Sequence, residues 1–291
     1  MVENGSAELR PVMRAVAPFA GHARVVGLTG SPGVGKSTVT SALVRAYRGL
    51  GRRVGVLAVD PTSPFTGGAL LGDRVRMQDH AIDSGVFIRS MASRGHLGGL
   101  SVATPQALRV LDAARFDVIC VETVGVGQAE VEIAGLADTT LVIAAPGMGD
   151  SVQAAKAGIL EIADIFVVNK SDRPGAHEVV RDLRSMMAMV RYQEGIWKPP
   201  IVSVSATSGE GIDELVSKLD AHGAWLSETG ELERRRVTRA REEVTALAVA
   251  EMRRQLGGLP GQSRLDELAV QVACGKLDPY SAAADLIAAQ T

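Results

Sequence analysis

The 291-residue chain is 46% hydrophobic but only 3% aromatic, so a sizeable core has to be filled by Val, Leu, Ile and Ala. A formal net charge of −2 offers no general field for nucleic acid, and two distant cysteines, Cys120 and Cys274, make no disulfide framework. No apolar run approaches the ~20 residues of a membrane span, and the N-terminal stretch is too broken by charges and prolines to be a signal peptide. The expectation is a cytoplasmic protein without nucleic-acid or membrane partners.

Residues 1–23 read as a short helical arm or loose leader, and 24–222 as one α/β domain. Within it, β-rich runs at Val25–Thr29, Val54–Val59, Val86–Arg89, Val118–Glu122, Thr140–Ala144, Ile165–Asn169 and Ile201–Ser205 alternate with helical stretches, among them Ser37–Gly49, Thr104–Ala114, Ser151–Ile162 and His177–Met189. Most of the β runs are continuously apolar, as strands buried on both faces of a parallel sheet are. This predicts a mostly parallel sheet flanked by helices.

The first strand runs into Gly30-Ser31-Pro32-Gly33-Val34-Gly35-Lys36-Ser37, which fits G-x-x-x-x-G-K-[ST] between a strand and a helix. Glycines let the backbone wrap a phosphate while the turn and helix N-terminus aim N–H groups at it. Lys36 supplies a point charge to the phosphate oxygens, and the Ser37 hydroxyl can ligate Mg2+. The second strand ends at Asp60, and Asp73 follows in "TGGALLGDRVRM". Both acids are candidates for an Mg2+ water shell or for gating across a switch-like segment, and Asp73 could equally pair on the surface with Arg74 or Arg76.

The fourth strand ends at Glu122, followed by Thr123-Val124-Gly125. In a P-loop fold that strand end lies near the metal and the γ-phosphate. Glu122 is therefore expected to face the metal, directly or through water, or to position the attacking water; an ordinary helix cap is the plainer alternative. Gly125 can offer its N–H to a γ-phosphate. The sixth strand ends in Asn169-Lys170-Ser171-Asp172, an N-K-x-D motif whose aspartate can accept hydrogen bonds from guanine N1–H and the exocyclic amine, donors that adenine does not present together. Ser205-Ala206-Thr207, at the seventh strand end, resembles the GTPase loop whose backbone N–H meets guanine O6.

From 223 to 291 the pattern becomes helical. "ETGELERRRVTRAREEVTALAVAEMRRQL" reads as one long helix with an apolar stripe, followed by Leu265–Ala273 and by a helix opening at Asp278-Pro279. Such a stripe needs a covering surface. The arginines at 234, 235, 236, 239 and 241 alternate with glutamates and read as an exposed, salt-bridged face. Cys120 reads as a small core residue.

"GSPGVGKST", "VDPTSPFTGGALLGDRVRM", "FIRSMASRGHLGGL", "ETVGVGQAEVEI", "GMGDSVQAAKAGILEIAD" and "NKSD" together resemble the MeaB/ArgK family of GTPases over about residues 24–291. The resemblance implies a P-loop GTPase with a C-terminal helical dimerisation region. It implies a homodimer that acts as a chaperone for adenosylcobalamin-dependent methylmalonyl-CoA mutase, gating cofactor delivery and protecting the mutase. Carried over by position, Gly30 to Thr38 hold phosphates and Mg2+; Asp60, Asp73 and Glu122 serve metal and hydrolysis; Asn169, Lys170 and Asp172 read guanine. Asp150, Gln153 and Lys156 match a loop coupling nucleotide state to the mutase. The segment before the phosphate loop is short beside many members, and Ser171 stands where alanine is frequent. A nickel-type metallochaperone GTPase would need a histidine or cysteine store, and five scattered histidines supply none. A small-molecule or protein kinase is the other alternative, because a phosphate loop alone does not separate transfer to water from transfer to a hydroxyl.

Overall fold

The computed structural model describes residues 6, 8–60, 80, 82–92, 103–123, 129–147, 159–190, 195–256 and 259–288. The strands are β1 Arg24–Thr29, β2 Val54–Asp60, β3 Val86–Ala92, β4 Val118–Thr123, β5 Thr139–Ala144, β6 Ile165–Asn169 and β7 Ile201–Val204. The helices are α1 Leu9–Val16, α2 Lys36–Gly49, α3 Ala103–Ala113, α4 Ala129–Leu136, α5 Ile159–Ile162, α6 Ala176–Ala188, α7 Ile212–Glu228, α8 Glu231–Leu256, α9 Leu259–Ala273 and α10 Pro279–Ala288. The chain divides into two compact units, Met1–Arg236 and Val237–Thr291.

The seven strands form one parallel sheet in the order β3-β2-β4-β1-β5-β6-β7. All seven expected β runs are strands, within a residue at each end except that β3 extends to Ala92. Alternation assigns the side chains to two faces. Val26, Leu28, Val56, Cys120, Leu141 and Val167 pack against α2 and α7. Val25, Leu57, Ile119 and Val121 pack against α3 and α4, and Phe166 and Val168 against α6. Gly27 sits where α4 crosses β1 closely: a Cβ there would come 2.6 Å from Ile133 Cγ1.

At the strand-start end, opposite the phosphate loop, three aspartates bracket neighbouring strands. Asp117, Asp138 and Asp164 immediately precede β4, β5 and β6. Each donates its backbone N–H to the carbonyl of one residue on the adjacent strand or its lead-in, and accepts that residue's N–H on its carboxylate. The partners are Arg53, Val25 and Thr140 respectively. Charge-assisted bonds of this kind are among the stronger ones.

The basic cluster is not simply an exposed face. Arg234 pairs on the surface with Glu231, but Arg235 grips Asp164 with two N–H groups at 3.0 Å and also donates to the Asp138 carbonyl. Arg236 pairs with Asp138 at 3.0 Å and donates to the Gly21 and Ala23 carbonyls. The two buried acids at the strand starts need cations, and the first two turns of α8 deliver them. The expected long helix is one continuous helix, α8, which starts just after Gly230 (φ 72°), the residue that separates it from α7. Beside this cluster His222 is fully buried against Trp197 and Trp225, with Nδ1 2.8 Å from Thr139 Oγ1 and Nε2 3.3 Å from Asp164 Oδ1. Burial pushes its pKa down to about 4, against the opposing pull of Asp164.

In the Val237–Thr291 unit, α9 and α10 pack together, with Leu268 and Ala282 buried. Asp278 caps α10 by accepting the N–H groups of Tyr280 and Ser281, as its place before Pro279 predicts. No helix among the described residues is long and apolar enough to cross a membrane.

Candidate active site

The phosphate loop leaves the end of β1 and enters α2 in a backbone shape that only its glycines permit. Gly30, Gly33 and Gly35 have φ of 138°, 84° and 92°. A Cβ on Gly30 would land on the Ile143 carbonyl oxygen, and one on Gly35 would land on the Asn169 side-chain amide. Lys36 is buried, and its ammonium donates to the Gly30 carbonyl at 2.7 Å and the Ser31 carbonyl at 3.2 Å. Phosphate oxygens are stronger acceptors for an ammonium than neutral carbonyls. The lysine is thus held at the loop's mouth in readiness for such an exchange.

Glu122 lies on the α2 face of β4, in parity with Val118 and Cys120, and is 4% exposed. Its carboxylate accepts from Ser37 Oγ at 2.6 Å and from Thr40 Oγ1 at 3.1 Å. The strand-end acid therefore faces the helix that opens from the phosphate loop. Thr40 was missed from sequence. Its signal is its place three residues after Ser37, one helical turn along the same face. The Thr40 hydroxyl also lies 3.0 Å from the Lys36 carbonyl, so its single proton has two acceptors. Burial and the nearby Glu122 charge push the Cys120 thiol up to about 12, which keeps it protonated and unreactive.

The N-K-x-D stretch meets the phosphate loop directly. Asn169 donates Nδ2–H to the Val34 carbonyl at 2.8 Å, and its Oδ1 accepts the Ala206 N–H at 3.2 Å. One buried amide thus ties the phosphate loop to the Ser205-Ala206-Thr207 loop. Lys170, in the left-handed region at φ 59°, donates its ammonium to the Gly33 carbonyl at 2.7 Å. The Ser171 N–H donates to the Val204 carbonyl, and Asp172 stands exposed beyond that fixed turn. Ser205 and Ala206 are buried and Thr207 is exposed; the Ser205 carbonyl accepts the N–H groups of Ser208 and Gly209.

The structure therefore brings together Gly30, Ser31, Gly33, Val34, Gly35, Lys36, Ser37, Thr38, Glu122, Asn169, Lys170, Asp172, Ser205, Ala206 and Thr207 at the strand-end side of the sheet. Asp60 ends β2 on the same side. Asp73, Gly125, Asp150, Gln153 and Lys156 lie outside the described residues. A Mg2+ fits what is present: a serine hydroxyl and a carboxylate, hard oxygen donors 2.6 Å apart. No cluster of three or more His, Cys, Asp or Glu occurs among the described residues, and a metal shared between one or two protein oxygens and substrate phosphates requires none.

A glycine phosphate loop braced by an N-K-x-D strand end on a seven-stranded parallel sheet defines the chain as a P-loop GTPase. The family model described as methylmalonyl Co-A mutase-associated GTPase MeaB matches residues 1–258, and the chain belongs to this family. A Pyrococcus horikoshii protein that bears a GTPase name is 48% identical over 289 residues, 99% of this chain and 90% of that protein. The GTPase ArgK of Escherichia coli is 38% identical over 76% of this chain and 68% of its own length. The mouse methylmalonic aciduria type A homolog is 37% identical over 73% of this chain and 52% of its own. A crystal structure titled LAO/AO transport system kinase superposes with a TM-score of 0.69 at 26% identity, covering 97% of this chain and 86% of that one.

Proposed function

We propose that this GTPase serves as a chaperone to an adenosylcobalamin-dependent methylmalonyl-CoA mutase, using GTP binding and hydrolysis to gate cofactor delivery and to protect the mutase. The observation that carries the reading is the match of residues 1–258 to the mutase-associated GTPase family. The mouse relative, named for methylmalonic aciduria, supports it. The working form is a cytoplasmic homodimer built through residues 223–291, with 24–222 as the GTPase domain and 1–23 as an arm.

In this proposal the loop from Gly30 to Thr38 wraps the phosphates with backbone N–H groups, and Lys36 exchanges the Gly30 and Ser31 carbonyls for phosphate oxygens. Ser37 donates its proton to Glu122, which leaves its lone pairs available to a cation. Ser37, Glu122 and Asp60 would hold Mg2+, which supplies neutralisation of charge on the β and γ phosphates when bound. Glu122 fixes the Ser37 and Thr40 hydroxyls at the start of α2 and, with Asp73, serves hydrolysis; Gly125 offers its N–H to the γ-phosphate. Asp172 accepts from guanine N1–H and the exocyclic amine, a backbone N–H of the Ser205-Ala206-Thr207 loop meets O6, and Asn169 and Lys170 brace the turn that presents Asp172. Asp150, Gln153 and Lys156 couple nucleotide state to the mutase.

The test is GTP turnover by the pure protein, with ATP as control, with and without a methylmalonyl-CoA mutase from the same organism. The expected result is GTP-selective hydrolysis at ~10⁻⁴ to 10⁻² per second that rises when the mutase is added. A rate unmoved by the mutase would redirect the search to another client. The solved relative titled a transport system kinase favours a second reading, phosphoryl transfer to an acceptor; a phosphorylated product other than inorganic phosphate would establish that one instead.

A further inference from the structure

A cavity of about 310 Å³ opens at the strand-start end of the sheet, the end opposite the phosphate loop, between β1, β4 and the C-terminal ends of α2 and α3. It has room for about ten water molecules at their liquid volume. Its lining carries both signs, Arg24, Arg52 and Arg115 with Asp112, Asp117 and Asp220. The hydrogen bonds decide which sign is in surplus.

Every acid is already supplied by the protein. Asp112 accepts the N–H groups of Gly21, His22 and Ala23 at 2.5, 3.1 and 2.8 Å. Asp220 pairs with Arg24 at 2.5 Å, and Asp117 accepts the Arg53 N–H at 2.7 Å. The donors are not used up. Arg52 reaches Asp117 only at 3.8 Å, and the Arg115 guanidinium has no partner among the described residues. The Arg115 backbone is fixed in the left-handed region (φ 65°), its N–H donating to the Asp112 carbonyl and its carbonyl accepting from Arg53.

Tyr47 adds a second, independent sign. It is 3% exposed, and its hydroxyl is buried with no hydrogen-bond partner of good geometry among the described residues. Arg24 lies close enough to pull its pKa down, but burial prevails and raises the pKa well above the usual range, so the group stays a neutral donor. The hydroxyl proton has no acceptor among the described residues, and a buried donor left so carries a desolvation cost that a ligand acceptor would remove.

We propose that this cavity binds a small oxyanion, a carboxylate or a phosphate, with Arg115 as its main cation and Tyr47 as a neutral donor. None of these residues takes part in the nucleotide site, so the two can be separated by experiment. The full chain is saturated with a non-hydrolysable GTP analogue and Mg2+ to fill the phosphate loop and the γ-phosphate position. It is then titrated calorimetrically with inorganic phosphate and, in a separate arm, with succinate, at constant ionic strength set by potassium chloride. Saturable binding of at least one is expected, and which one binds identifies the source of the oxyanion. Arg115→Gln should weaken it about tenfold or more, which is ~1.4 kcal/mol. Tyr47→Phe, which removes one oxygen, should weaken it by a smaller factor, and affinity for the GTP analogue should stay unchanged in both variants. The proposal is overturned if neither anion saturates, or if Arg115→Gln binds as the parent chain does.

Discussion

At the scale of single residues, the chemistry rests on side chains that have two partners at once. Glu122 holds Ser37 and Thr40, and Asn169 holds Val34 and Ala206. Asp172, by contrast, is exposed and set beyond a fixed turn, as a group meant to read a base would be. Replacing Asp172 with Asn keeps the size but turns one acceptor into a donor. GTP kcat/KM should fall on the order of 10³-fold, and xanthosine triphosphate, whose C2 oxygen can accept from the new amide, should recover part of it. Equal use of both nucleotides by parent and variant would remove Asp172 from base recognition. Sequence made Glu122 legible because a carboxylate at the end of an apolar strand has few packing roles. It did not reveal Thr40, because a threonine inside a helix carries no signal until the neighbouring strand is known.

At the scale of elements, the start of α8 is secured by Arg235 and Arg236 on two acids that are 9% and 1% exposed at the side chain. Arg236→Ala would leave Asp138 buried without that cation. A loss of about 2 kcal/mol or more in urea unfolding is expected, below the ~3–5 of a fully buried pair because the arginine keeps part of its surface in water. An unchanged midpoint would mean the pair contributes nothing net. His222 gives this region a pH response. Its folded pKa lies near 4, below the ~6.5 of an unfolded histidine, so the folded state resists the proton that the unfolded state accepts. Its contribution is complete above about pH 6.5 and declines as pH falls towards 4. Urea midpoints measured from pH 7.5 to 4.5 should drop less steeply in His222→Gln than in the parent chain, and parallel curves would sink the assignment. None of this was readable from the arginine run, because an arginine bound for a buried aspartate looks the same in sequence as one bound for water.

At the scale of the whole molecule, the sequence of β runs and their parallel character were legible because strands covered on both faces must be apolar throughout. The lateral order β3-β2-β4-β1-β5-β6-β7 was not, since it depends on where each crossover lands. The Val237–Thr291 unit leaves Val244, Leu247 and Met252 between 41% and 66% exposed, an apolar stripe that fits the proposed dimer. By size exclusion with light scattering, the full chain should run as two protomers and a chain ending after Arg236 as one. A truncated chain that still pairs would place the interface in the GTPase unit. The double grip of Asn169 has a consequence for how the nucleotide is sensed. Because one amide pins both the phosphate loop and the base loop, whatever orders either loop orders the other. Guanosine and pyrophosphate, offered as separate fragments, should each tighten the other's binding, and by reciprocity the gain must be equal in both directions. Asn169→Ala should leave two fragment sites that no longer communicate.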